Sequence, residues 1–152
     1  MVSFQIEELG KFMSMLLSGD AFDAWEIVEA KAETFCEVHL SGRIKKDFFD
    51  TEERENLPEY AAWREVKPLF YQAIKGKKLP LAFTVVLMPP KDDKEEQTTD
   101  KRFLNIRYTK QGCVITTGFS QVLFSLDKTA EQTWDTLAGE WLKKKGILYT
   151  RE

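Results

Sequence analysis

His39 is the chain's one histidine, set between Val38 and Leu40, with Cys36 three residues before it. A nucleophile–histidine–acid triad would have to run through it, since a thiol or hydroxyl needs an adjacent base to become a strong nucleophile. Along a strand, side chains three residues apart point to opposite faces, so Cys36 and His39 do not meet there. The histidine therefore reads as a strand residue and not as a catalytic base. Zinc is disfavoured for a related reason. One histidine and two distant cysteines, Cys36 and Cys113, fall short of the four nitrogen or sulfur donors of a structural site. The acidic run "DDKEEQTTD" at 92–100 lacks the alternating order and distal glutamate of a calcium loop. No glycine-rich phosphate cradle is present, because "IKGKKLP" at 74–80 carries one glycine and no Ser or Thr after its lysines. No catalytic residue, metal ligand or cofactor is assigned, and the reading leans away from an enzyme.

Two features remain that chemistry can use. The first is cationic: Arg43, Lys45 and Lys46 in one place and Lys75, Lys77 and Lys78 in another. Brought together, these six would suit phosphates, a nucleic-acid backbone or a partner's acids. Lysines after a helix also oppose its negative end, worth roughly 0.3–1 kcal/mol each with no ligand at all. The second is aromatic. Trp25, Trp63, Trp134 and Trp141 all fall on apolar faces, which points to core packing or a dimer face before base stacking.

The elements that must hold these residues follow from composition and periodicity. The chain has 152 residues, 43% of them hydrophobic, enough for a substantial core in one domain over 1–152. Its longest apolar runs, such as "VVLM" at 85–88, are far below the ~18–20 residues of a membrane span. "MVSFQIEELG" has no basic region ahead of an apolar one, so cytoplasm is expected, with both cysteines free and packed in strands. The net charge is −3, which does not advertise nucleic acid. It is unevenly spread: residues 1–40 hold 2 basic and 8 acidic groups, residues 41–80 hold 9 and 7.

"VSFQI" alternates as a strand, and Ile6, Leu9, Met13 and Leu16 then recur at helical spacing. That helix should start with Glu7 and Glu8 in its first turn and stop at Gly19. Two strands are expected over 24–31 and 34–41, turning near Ala32 and Glu33. Asp50 and Glu53 suggest a capped helix start. Tyr60, Trp63, Val66, Phe70 and Ile74 form a stripe, interrupted at Pro68 by a kink or a second helix, and Gly76 stops it. "LAFTVVLM" at 81–88 reads as a strand covered on both faces, and 89–100 as an exposed acidic loop. A hairpin pairs 102–108 with 113–119, and a short strand is expected near "QVLFSL". A last helix is capped at Thr129 with Gln132, ends at "KKKG" and leads to an edge strand at "ILYT". The fold class is α+β: antiparallel sheet of about six to eight strands with three main helical regions, the middle one kinked at a proline.

The segments "VSFQIEELGKFMSMLL", "GRIKKDFF" and "WREVKPLFYQAIKGKKLPLAFTVVL" resemble a bacterial family of about this length, known as a domain of unknown function. Trp63, Pro68, Gly76, Lys77 and Pro80 are its marks here, and the resemblance runs along nearly the whole chain. It implies no activity and no site residues. The opening strand, helix and hairpin, about the first 45 residues, also look like the start of a DNA sliding-clamp domain. Function is therefore expected to be binding: a protein partner or a second copy, through exposed apolar surface and edge strands. The second reading is nucleic-acid or anion binding through the six basic residues. Membrane association is not expected.

Overall fold

The computed structural model describes residues 1–90, 100–121 and 126–152. Seven strands form one antiparallel sheet: β1 (Ser3–Ile6), β2 (Glu26–Glu33), β3 (Glu37–Ser41), β4 (Ala82–Met88), β5 (Lys101–Thr109), β6 (Gly112–Ser120) and β7 (Tyr149–Arg151). Their spatial order is β3-β2-β4-β5-β6-β1-β7, so β3 and β7 are the edges. Three helices, α1 (Leu9–Leu17), α2 (Trp63–Ile74) and α3 (Thr129–Lys144), complete an α+β arrangement.

One face of the sheet makes the core. Phe4, Ile27, Phe83, Val85, Leu104, Ile106 and Ile115 point into it and meet Phe12, Leu16, Trp63, Phe70, Ala138 and Leu142 from the helices. Among the described residues no helix covers the other face. Its register lines up His39, Lys31, Thr84, Arg107, Val114 and Gln5 in one cross-strand row, each half-buried or exposed. The apolar run of β4 suggests cover on both faces, and the structure differs: Phe83, Val85 and Leu87 are buried while Thr84 and Val86 are only half-buried. Val86 packs beside Glu29 and Asn105 on that face, so its apolar character is spent on strand propensity, not on core.

Two helix starts differ from the sequence reading. Ile6 stays in β1, so α1 begins three residues later and has no acid in its first turn. Asp50 and Glu53 do not start the middle helix: residues 46–48 and 54–56 are single 3-10 turns with nothing buried. The α-helix begins at Trp63 and contains Pro68, and Tyr60 lies outside it, bridged to Arg43. At α3 the cap is not Thr129. Asp127 accepts both the backbone N–H and the hydroxyl of Thr129 through Oδ1, which holds its carboxyl below the usual range. The helix end agrees with its sequence. Gly146 has φ +78, Ile147 N–H donates to the Leu142 carbonyl and Gly146 N–H to that of Lys143, the paired bonds of a Schellman stop.

Side chains of α2 close the end of α1. Trp63 Nε1 donates to the Leu16 carbonyl at 2.9 Å, and Lys67 Nζ to the Gly19 carbonyl at 2.7 Å, with Asp23 beside it. An indole N–H and a cation thus satisfy carbonyls at and just past the helix end, where no further turn can. Across the sheet, the Thr117 hydroxyl donates to Asp135 Oδ1 and accepts the Val2 N–H, tying α3 to β6 and β1. The expected strand near "QVLFSL" and most of the expected 89–100 loop fall outside the described residues.

Candidate functional site

Edge strand β3 and the two loops at its ends form the candidate site. The hairpin joining β2 to β3 turns at residues 34–36, two positions later than Ala32 and Glu33 would place it. Ala32 and Glu33 stay in the ladder because β2 is held on its other side by β4, where they pair with Phe83 and Ala82. The turn therefore falls on Thr34, Phe35 and Cys36, with the Thr34 N–H donating to the Cys36 carbonyl at 2.8 Å. This corrects two expectations at once. Phe35 is not a strand residue but a fully projecting one, 99% exposed, and Cys36 is exposed instead of packed. The weak turn propensity of Ala32 and Glu33 is the one sequence signal that points this way.

Among the described residues no strand pairs with the outer side of β3. Gly42 donates its N–H inward to the Val28 carbonyl, and backbone donors alternate along a strand. Glu37, His39 and Ser41 therefore direct their N–H groups away from β2. Among the described residues no backbone hydrogen bond reaches them from outside. On the face away from the core, His39 Nε2 sits 3.4 Å from Glu29 Oε2, both side chains being well exposed. This is a cross-strand surface contact, and Ser41, the register partner of Glu29, accepts the Arg43 N–H through its Oγ.

The six basic residues divide between the two ends of this strand. Lys75, Lys77 and Lys78 follow α2 in the loop that enters β4, and Leu81 N–H donates to the Glu33 carbonyl, holding that loop against the hairpin turn. Leu79 and Leu81 are exposed there at 81% and 51%, close to the level of Phe35 in the register, while Pro80 is buried. Arg43, Lys45 and Lys46 follow β3 at its opposite end. Arg43 Nη1 lies 3.6 Å from Glu59 Oε1, an acid also approached by Lys101. From the level of Glu37 to Arg43 is six residues, about 20 Å at ~3.3 Å per residue. The structure thus brings each triplet together with its own loop but sets the two triplets at opposite ends of the edge strand.

Cys113, by contrast, is buried at the start of β6, and its burial pushes the thiol up to about 12. Native protein should therefore give one fast-reacting thiol, Cys36, with maleimide or a disulfide reagent, and a second only on unfolding. Between about pH 9 and 12 the unfolded thiol ionises while the buried one keeps its proton, so stability should fall as pH rises through that window. A Cys113→Ala protein should show a flatter alkaline limb in urea titrations. Two fast thiols in the native state would contradict the packing of β6.

A shallow cavity of about 290 Å³ lies elsewhere, between Trp25, Pro89, Trp134, Leu137 and Trp141. Its floor is apolar, and neither His39, Cys113 nor any of the six basic residues lines it. Trp25 and Trp134 are almost wholly buried and Trp141 packs edge-on to Trp25 at 4.8 Å, so the tryptophans serve the core first. Among the described residues there is no group of three histidine, cysteine or acidic side chains placed to hold a metal ion, and no helix is long and apolar enough to cross a membrane.

Fold and site together define an α+β protein built on an antiparallel sheet whose edges are β3 and β7. The chain belongs to the family of unknown function DUF5721, whose model matches residues 15–150. No curated protein and no solved structure matches it.

Proposed function

We propose that this protein is an interaction module of the cytoplasm that takes up an extended segment of a protein partner by adding it as a strand to the outer edge of β3. The observation that carries this reading is the set of outward N–H groups at Glu37, His39 and Ser41, unpaired among the described residues and flanked by Phe35 at 99% exposure. An unpaired edge is a template for another chain, and an aromatic anchor beside it adds contact area at little entropic cost. The short length of β3 and the acidic side chain of Glu37 keep this edge from pairing indiscriminately, which suits a specific partner better than aggregation. Separation of the two basic triplets favours this reading over a single anion site, which needs convergent charge.

The test is an unbiased library of twelve-residue segments selected on the protein, followed by hydrogen exchange of the complexes. Protection is expected at the amides of Glu37–Ser41. His39→Pro removes an outward donor without touching the ladder to β2, so the fold should persist by circular dichroism while binding drops at least about ten-fold. Selected segments that protect α3 and the Trp25–Trp141 cavity, and bind His39→Pro unchanged, would overturn the proposal.

A further inference from the structure

We infer that the strand added to β3 is the β3 of a second copy of this chain, paired antiparallel about a two-fold axis at His39. This rests on the strand-addition reading and names its partner. The outward N–H and C=O groups belong to Glu37, His39 and Ser41, placed symmetrically about His39. Rotation by half a turn lays Glu37 against the partner's Ser41, His39 against the partner's His39 and Ser41 against the partner's Glu37. Each is a hydrogen-bonded pair that exchanges both backbone bonds, so every outward group of β3 is satisfied. Sliding the partner by two residues in either direction loses one of these pairs from the strand.

The side chains agree with that register. Glu37 meets a serine and not a second carboxylate, and each His39 keeps its own Glu29 carboxylate at 3.4 Å. On the core face, half-buried Val38 lies opposite the partner's Leu40 and Leu40 opposite the partner's Val38, which carries the apolar layer across the axis. Phe35 and Phe48 are the two most exposed phenylalanines among the described residues, at 99% and 86%. Phe35 stands in the turn before β3 and Phe48 in the loop after it. Antiparallel pairing therefore brings the Phe35 end of each copy to the Phe48 end of the other. Four aromatic side chains of ~150–250 Å² each, added to two strand edges, reach the ~1,200 Å² of a specific interface. The contact is isologous and closes, since each copy uses its β3 edge once. β3 is already extended in the free chain, so the pairing costs less ordering than capture of a flexible peptide.

Sedimentation of the full chain at rising concentration should move from 17.7 kDa toward twice that mass, with a micromolar midpoint. His39→Pro should weaken association at least about ten-fold with unchanged circular dichroism. Phe35→Asp should weaken it too, without altering the β3 backbone. Oxidation of cysteine variants fixes the register, in a Cys36→Ser background because Cys36 is exposed while Cys113 is buried. His39→Cys should crosslink to its own counterpart, and Glu37→Cys to Ser41→Cys in a mixed sample, since hydrogen-bonded pairs lie ~5.5 Å apart, within disulfide reach. Glu37→Cys alone should stay unlinked, its counterpart lying ~13 Å away along the strand. A Glu37→Cys self-crosslink overturns the two-fold at His39. A chain that stays monomeric at every concentration overturns the second copy, and protection of Glu37–Ser41 by selected segments then leaves strand addition standing. A dimer that survives His39→Pro removes β3 as its seat, and if selected segments also leave Glu37–Ser41 unprotected, strand addition falls with it.

Discussion

Gly42→Ala should cost more than about 3 kcal/mol of unfolding free energy, among the largest effects of any single methyl addition in this chain. Gly42 sits where β3 ends and the segment at residues 60–62 wedges between it and the start of β2. Its N–H donates to Val28, its carbonyl accepts from Ala61, and Ala61 in turn accepts the Ile27 N–H. A Cβ at Gly42 would collide with the Ile27 carbonyl oxygen and lie 2.7 Å from its carbon. Both are backbone atoms held in a ladder, so neither can swing aside as a flexible side chain does. The requirement is one of space, since no positive φ occurs at this glycine. Urea unfolding of the variant checks it. A loss under about 1 kcal/mol would mean that the crossing at Gly42 is looser than this geometry. Because Gly42 anchors the end of β3, the same variant should also lose binding of any segment that adds to that edge.

Trp63→Ala is expected to be as severe, at about 3–5 kcal/mol from cavity formation alone. Trp63 is fully buried, heads the largest side chains of the core and packs against Phe70 at 5.8 Å. It also donates to the Leu16 carbonyl at 2.9 Å, so its loss strands an acceptor at the end of α1. Trp63→Phe separates the two contributions. It keeps most of the ring volume and removes the donor, and should cost about 1–3 kcal/mol for the unsatisfied buried carbonyl. Thermal melts of both variants provide the check. Wild-type stability in the Trp63→Phe variant would show that the Leu16 carbonyl finds another partner.

The two variants also show how far the sequence can be read. Trp63, Phe70 and Ile74 are visible as one buried stripe because helical periodicity follows from backbone geometry alone. Gly42 carries no such signal, since its role depends on Ile27, fifteen residues away in sequence, and on a segment another twenty residues on. The candidate site divides in the same way. Its lysines and arginine are legible as a charged set. Whether they share a face is not, because that depends on the register of β2 against both β3 and β4. Phe35 is misplaced for the same reason: local turn chemistry favours neither Ala32–Glu33 nor Thr34–Cys36 strongly, and pairing with β4 decides between them.

Local patterns were enough for the α+β class, the three helices, the β5–β6 hairpin with its glycine at φ +133 and the glycine stop of α3. Each of these follows from side-chain period, turn residues or caps within a few positions of one another. That β3 is an edge, that its turn projects a phenylalanine, and that two basic triplets lie at its opposite ends emerge only once the sheet is assembled. These depend on which strands neighbour which, and strand order is set by contacts across dozens of residues whose energies no local window contains.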